Sequence, residues 1–399
     1  MAKAFKALLV KTVLVWFYIS TVQGGARILS RDKILELKKQ LKSLNKPAVK
    51  TIKTENGDIF DCVDIQKQPA LDHPLLKNHI VQTKPTFSQT EKATISSSKT
   101  RVVIGLPGGG CPEGTVPIKR VLMEDLIRAH SVVGLQKKEF LNQSSREVPY
   151  PSNHLSAHIA TRPGHFYGAN AVINIWEPQV LINPQDSSAQ IRLINSAQGP
   201  VNVIEAGWIV NPAFFNDSRV RLFGFWTADG NEKTGCFNNL CQGFVQSHRW
   251  IPLGSQFLAH STYGGKQTEA KFSIKLDLIK NWWLFLNDWA IGYWPLNIFT
   301  QMGSADTIMW GGVAYNPNSA ASMPEMGSGH WPSEGRRKAC YMRNLHVLTP
   351  DYNLQDAPTD VHIHIDQPSC YSLADHGNRG PWRRHFYLGG PGGQCASEG

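Results

Sequence analysis

The chain has 399 residues, 41% of them hydrophobic and 10% aromatic, which excludes wholesale disorder and is long enough to bury at least one sizeable core. Its 41 Lys and Arg against 31 Asp and Glu give a net +10, at first sight the charge of a nucleic-acid or anionic-surface binder. The distribution excludes that: residues 1–24 carry +3, residues 25–150 carry +8, and residues 151–399 are near neutral at −1, while 11 of the 12 Trp lie after residue 150.

In chain order, residues 1–24 read as a secretory signal. Lys3, Lys6 and Lys11 lead into an apolar run from Thr12 to Val22 that ends at Gly24 and Gly25. The run is too short to span a bilayer comfortably, so no membrane attachment is expected once it is removed. Residues 25–150 form a basic leader. Ile34, Leu37, Leu41 and Leu44 recur at helical spacing, and Pro47 stops that helix after Asn45. A strand-like run follows at Asp58–Ile65, then a polar stretch over 83–100 with no apolar face, read as a mobile linker. The run 121–130 suggests one more helix. Asn142-Gln-Ser144 has the form of a glycosylation acceptor, and Pro149 and Pro151 mark an exposed, cleavable boundary.

After residue 153 short alternating apolar and polar runs recur, among them AVINIWEP, AQIRLIN, NVIEAGWIVN, DTIMWGGVAYN and DVHIHID, each bounded by Gly, Pro, Asn or Asp. Many period-2 segments without long helices predict an all-β body, an antiparallel β-sandwich of jelly-roll type, behind a small mixed α/β leader. Seven cysteines suit an oxidising compartment. Cys236 and Cys241 flank an Asn-Asn turn and predict a small disulfide loop, Cys370 and Cys395 can clamp the C-terminus, Cys62 and Cys111 both fall in the leader, and Cys340 is left over. No CxxC pair occurs, so no zinc site is expected, and His362 and His364 share a strand face without a third ligand nearby in sequence. No metal or other cofactor is expected, nor a Gly-x-Ser-x-Gly nucleophile elbow.

Residues 45–79, NKPAVKTIKTENGDIFDCVDIQKQPALDHPLLKNH, closely resemble the activation peptide of the plant neprosin family. Downstream, IEAGWIVNP, TGCFNNLCQGFVQ, KNWW, GYWP, MWGG, MGSGHWPSEG and YLGGPGG resemble that family's body in the same order. The resemblance implies a secreted precursor whose own pro-peptide inhibits it and is removed to give a β-sandwich glutamic endopeptidase. Such enzymes act in acid and cut on the carboxyl side of proline, so the implied partner is a proline-containing protein or peptide in the apoplast or cell wall. Two glutamates on one sheet face form the family's catalytic pair. The first matches Glu205, which strand alternation puts on the face opposite Ala206 and Trp208, partly open to solvent. The family's Trp-Gly-Gly-Glu run supplies the second. Here Trp310-Gly311-Gly312 is followed by Val313, and the residue before that tryptophan, often acidic in relatives, is Met309.

One carboxylate alone loses the division of labour between base and acid, at a cost of ~10²–10⁴ in rate. A rescue is expected from Glu325, on the assumption that the loop 316–322 makes a hairpin and brings Glu325 beside the Trp310 strand, facing Glu205. Trp208, Trp310 and Tyr315 are candidates for contacting substrate; at least half of the set Trp208, Trp226, Trp282, Trp283, Trp294, Trp310 and Trp331 is expected to be buried. Asn216-Asp-Ser218 is a second glycosylation acceptor. The alternatives are a catalytically inactive relative that binds proline-rich peptides or wall glycoconjugates, and a carbohydrate-modifying sandwich.

Overall fold

The computed structural model describes residues 30–87, 104–128, 153–180, 184–197, 199–317 and 322–395. The expected signal segment, most of the 83–100 linker, Asn142 and the cleavable seam near 150 lie outside the described residues. Two compact units are present, Met1–Gln40 and Leu41–Gly399. The amphipathic helix forms as its spacing predicts, as α1 (Arg31–Leu44), with Leu37 and Leu44 buried. It starts at Ser30, whose hydroxyl accepts the Lys33 N–H as an N-cap.

The leader continues with β1 (Ala48–Lys53), β2 (Ile59–Asp64) and β3 (Thr115–Lys119), which pair in that order as an antiparallel sheet. Cys62–Cys111 staples β2 to the glycine-rich turn before β3, and residues 123–128 add the second leader helix.

The body runs β4 (His154–Thr161), β5 (Gly168–Asn174), β6 (Asp186–Asn195), β7 (Asn202–Val210), β8 (Arg221–Thr227), β9 (Cys236–Phe237), β10 (Val245–Gln246), β11 (Glu269–Leu276), β12 (Asn281–Leu286), β13 (Trp289–Pro295), β14 (Thr307–Tyr315), β15 (Cys340–Leu348), β16 (Leu354–Asp356), β17 (Val361–Ile365), β18 (Ser372–Asn378) and β19 (Arg384–Gly389). Among the described residues these strands build two antiparallel sheets, as the alternating sequence runs predict. One has the order β17-β4-β14-β6-β7-β8-β9; the other runs β10-β13-β12-β11-β5-β15-β19-β18, with β16 on β15. Ile191, Ala206, Trp208 and Trp310 of the first pack with Ile173, Phe272, Trp282 and Trp294 of the second in one core. That shared core makes the body a sandwich.

Disulfides Cys236–Cys241 and Cys370–Cys395 form as expected, and Cys340 stays a buried free thiol. The hairpin expected after β14 does not form. β14 is central, paired on one edge by β4 and on the other by β6, so it has no free edge to offer. The segment beyond it bridges the C-terminal tail instead, Met323 to Gly393 and Met326 to Gly390.

Leader and body pack together within the second unit. Ala70 and Val81 of the leader join Val245, Trp283 and Tyr293 of the body in one apolar cluster. The side chain of Gln68 accepts the Gln246 N–H at 2.8 Å and donates to its carbonyl at 3.1 Å, as a neighbouring strand would. His79 meets the Tyr293 hydroxyl at 2.8 Å, and Asp58 reaches the buried Arg221 at 2.6 Å.

Candidate functional site

The site is built on the seven-stranded sheet, where register decides which side chains share a row. Along β7, Ile204, Ala206, Trp208 and Val210 point into the core. Glu205 therefore stands on the opposite face, as alternation requires. Its row is fixed by pairing: Phe225 on β8, Glu205 on β7, Arg192 on β6, Met309 on β14. The next row reads Phe223, Gly207, Gln190, Gly311 and His158, and the one after it Arg221, Ile209, Ser188, Val313 and Ser156.

This face is far more closed than the sequence suggests. All nine residues of β7 are buried, and the Glu205 side chain retains 11% exposure. A carboxylate that poorly hydrated needs partners, and each oxygen has one, a charge for Oε1 and a hydrogen-bond donor for Oε2. Arg192 Nε lies 3.2 Å from Oε1 in an ion pair, and the Gln190 amide donates to Oε2 at 3.3 Å. Burial pushes the Glu205 carboxyl above its ordinary value, and the Arg192 charge pulls it part of the way back. Gln190 is flanked in its row by two glycines. A Cβ at Gly207 would lie 2.1 Å from the Ala189 carbonyl oxygen, and one at Gly311 2.4 Å from that of Ala157. The strands approach too closely there for any side chain, so the Gln190 amide is not crowded within its own row.

The same face carries a second polar group. The Ser156 hydroxyl donates to Asp366 at 2.7 Å, His364 meets the other oxygen of Asp366 at 2.8 Å, and His158 lies 3.1 Å from the Ser156 hydroxyl. The two imidazoles lie 5.0 Å apart with their planes tilted by 34°. Burial first, then the neighbouring His364, pushes His158 down to about 3, so it is neutral across the physiological range. At the far end of β6, Asp186 accepts from the Asn211 amide at 3.0 Å. Burial raises it to about 8, so it is a neutral acid below that pH.

The residues expected in the site separate. Glu205 is on the predicted face. Glu325 is not brought to it: the Glu325 carboxylate accepts the Gln179 backbone N–H at 2.8 Å, and its neighbour Met326 packs on the core side of Gly312. Trp208 and Trp310 do not line a substrate cleft. Both are fully buried in the core, donating their indole N–H groups to the Asn174 and Asn170 carbonyls. Six of the seven tryptophans considered are buried, all but Trp331. Tyr315 shares the Glu205 face, buried against the ring of His154 at 4.4 Å. Asn216 is exposed at the end of the short helix Pro212–Phe215. His362 is paired with Arg162, and no group of three metal-ligating side chains occurs among the described residues.

Register sets how far the two positions considered for a second acid lie from Glu205. Val313 lies two strands from Glu205 and four residues further along, roughly 13 Å in the strand direction. Met309 is level with Glu205, about 10 Å away across Arg192, and is the position from which a second side chain of glutamate length would reach toward it. Arg192 itself was legible in AQIRLIN as a charge in step with Gln190. Its contact with Glu205 was not, because that needs the pairing of β6 with β7.

Two family descriptions match this chain in order: Neprosin activation peptide over residues 51–168 and Neprosin over residues 183–391. Among solved structures, "Crystal structure of scytalido-glutamic peptidase with a transition state analog inhibitor" is 10% identical, covers 59% of this chain and 97% of that chain, and has a TM-score of 0.33. The same peptidase with a peptide-based transition state analog gives 9%, the same coverage and 0.32. A "native glycosidic hydrolase" gives 9% over 43% and 81%, with a TM-score of 0.20.

Proposed function

From the premise that the chain belongs to the Neprosin family, with the family's activation peptide ahead of its neprosin domain, we propose that it is the secreted precursor of a glutamic endopeptidase with one acid/base carboxylate, Glu205. The observation that carries this reading is the Glu205 constellation: a buried carboxylate with an amide donor and a guanidinium within 3.3 Å. In that arrangement ionised Glu205 takes a proton from water as the water oxygen bonds to the peptide carbonyl carbon. The carbonyl π pair becomes an oxyanion, which the Gln190 amide and the Arg192 charge favour. Glu205 then returns the proton to the leaving nitrogen as the C–N bond breaks. The substrate is a proline-containing peptide, the working range acidic, and the rate below that of a two-carboxylate site because Met309 offers no second acid. The activation peptide keeps the body latent until it is removed in the apoplast or wall, and Asn216 carries a glycan.

The test is hydrolysis of a proline-containing fluorogenic peptide by the full-length secreted precursor after acid incubation, beside Glu205→Gln. Hydrolysis that disappears in the variant is the expected result; equal hydrolysis by both removes Glu205 from the chemistry. A second reading, a non-hydrolysing peptide binder, is favoured by Met309 in the Glu205 row. It predicts saturable binding of the same peptide with no cleavage by the wild-type protein.

A further inference from the structure

The Glu205 row contains a group that a two-carboxylate mechanism does not use. Arg192 is 2% exposed, lies on the strand between Glu205 and Met309, and places Nε 3.2 Å from the Glu205 carboxylate. A guanidinium is always charged, and burying one is costly unless it is paired. Among the described residues, the elements around Glu205 supply no other close charge of either sign. β8 offers Phe225, β7 itself Val203 and Gly207, β6 Gln190 and Arg192, and β14 Met309. Beyond β14, on β4, His158 is neutral and senses Arg192, with His364 and Asp366 of the β17 segment behind it. The local field at Glu205 is therefore the field of Arg192.

We propose that Arg192 is a positioning residue that sets the pH at which Glu205 becomes a base, standing in electrostatically for the second carboxyl that this row lacks. This rests on the reading of Glu205 as the acid/base group. In a pair of carboxyls one member keeps the other ionised by holding the shared proton. Here a fixed positive charge favours the ionised form of Glu205 directly, and the Gln190 amide fixes the orientation of its second oxygen. The consequence is an acid limb that belongs to Glu205 alone: activity rises as Glu205 ionises, and Arg192 keeps that ionisation within the acidic working range.

Two measurements on the full-length secreted protein separate this inference from the reading it rests on. The first is the pH profile of kcat/KM for wild type, Arg192→Lys and Arg192→Gln. The acid limb is expected to move up by about one pH unit or more in Arg192→Gln and much less in Arg192→Lys, with kcat falling about tenfold at acid pH and KM moving little. The second is a carboxyl-carbon NMR titration of Glu205, identified by its absence in Glu205→Gln. Its midpoint is expected to rise in Arg192→Gln. Should Arg192→Gln fold poorly, Arg192→Lys carries the comparison, with a smaller shift in the same direction. A wild type that does not cleave peptide overturns the hydrolytic reading alone. An unmoved Glu205 midpoint overturns the role of Arg192, whatever the activity.

Discussion

The two faces of the seven-stranded sheet are made by the same strands, one residue out of step. On β7, Ile204, Ala206 and Trp208 are fully buried in the large apolar core, while Val203, Glu205 and Gly207 belong to the other face, where an ion pair and hydrogen bonds sit beside a small apolar cluster of Ile194, Val203 and Met309. On β14, Trp310 and Ala314 point inward, and Met309, Val313 and Tyr315 point the other way. The inner face tolerates little because its shape is shared with the second sheet. The outer face holds its chemistry in rows that run across strands, so a residue's partners lie up to 210 positions away in sequence but one strand away in space. Trp208, three residues from Glu205 in sequence, is thus in a different environment altogether.

The sharpest way to break the comparison is Trp208→Ala. It removes a fully buried indole and its hydrogen bond to Asn174, and is expected to cost about 3–5 kcal/mol in urea unfolding. A loss under about 1 kcal/mol would mean that the inner face is not the core. Next comes Met309→Glu, which restores a carboxylate level with Glu205. Peptide hydrolysis at acid pH is expected to rise by about 10²-fold; Val313→Glu, four residues along, is expected to do far less. Equal gains from both would show that strand register does not set the catalytic geometry.

A smaller effect comes from the buried acid at the end of β6. Asp186 is raised to about 8 in the fold against 3.8 when exposed. It therefore contributes stability that is fully present below pH 3.8 and is lost as pH rises toward 8. Asp186→Asn cannot ionise, so thermal unfolding from pH 4 to 8 should lose this decline, worth up to roughly 1.4 kcal/mol per pH unit. An unchanged slope would place the Asp186 carboxyl in water. The smallest effect is expected from Glu325→Gln, which weakens a hydrogen bond from the Gln179 backbone. Stability should change by less than about 1 kcal/mol and hydrolysis not at all; a large loss of hydrolysis would return Glu325 to the site.

Much of this was legible in sequence wherever a property is local. Helix spacing in α1, alternation in the body strands, the turn between Cys236 and Cys241 and the face occupied by Glu205 all follow from a few neighbouring residues. The two tryptophans proposed for substrate contact were misplaced because aromatic side chains on alternating strands carry no mark of which sheet covers them. Glu325 was misplaced for a topological reason: a loop of hairpin length suggests a return strand, but β14 has both edges filled by β4 and β6.

By itself the sequence determined the contrast between a basic leader and a near-neutral, tryptophan-rich body, the antiparallel β strands of that body and the sidedness of each strand, because charge, composition and period 2 are properties of the chain. Tertiary structure decided that Arg192 lies against Glu205, that Met309 rather than Val313 stands level with it, and that His158 joins Ser156 and Asp366. Those are matters of register between strands distant in the chain. A shift of two residues would keep every side chain on its own face and give each a different partner, so no local pattern encodes it.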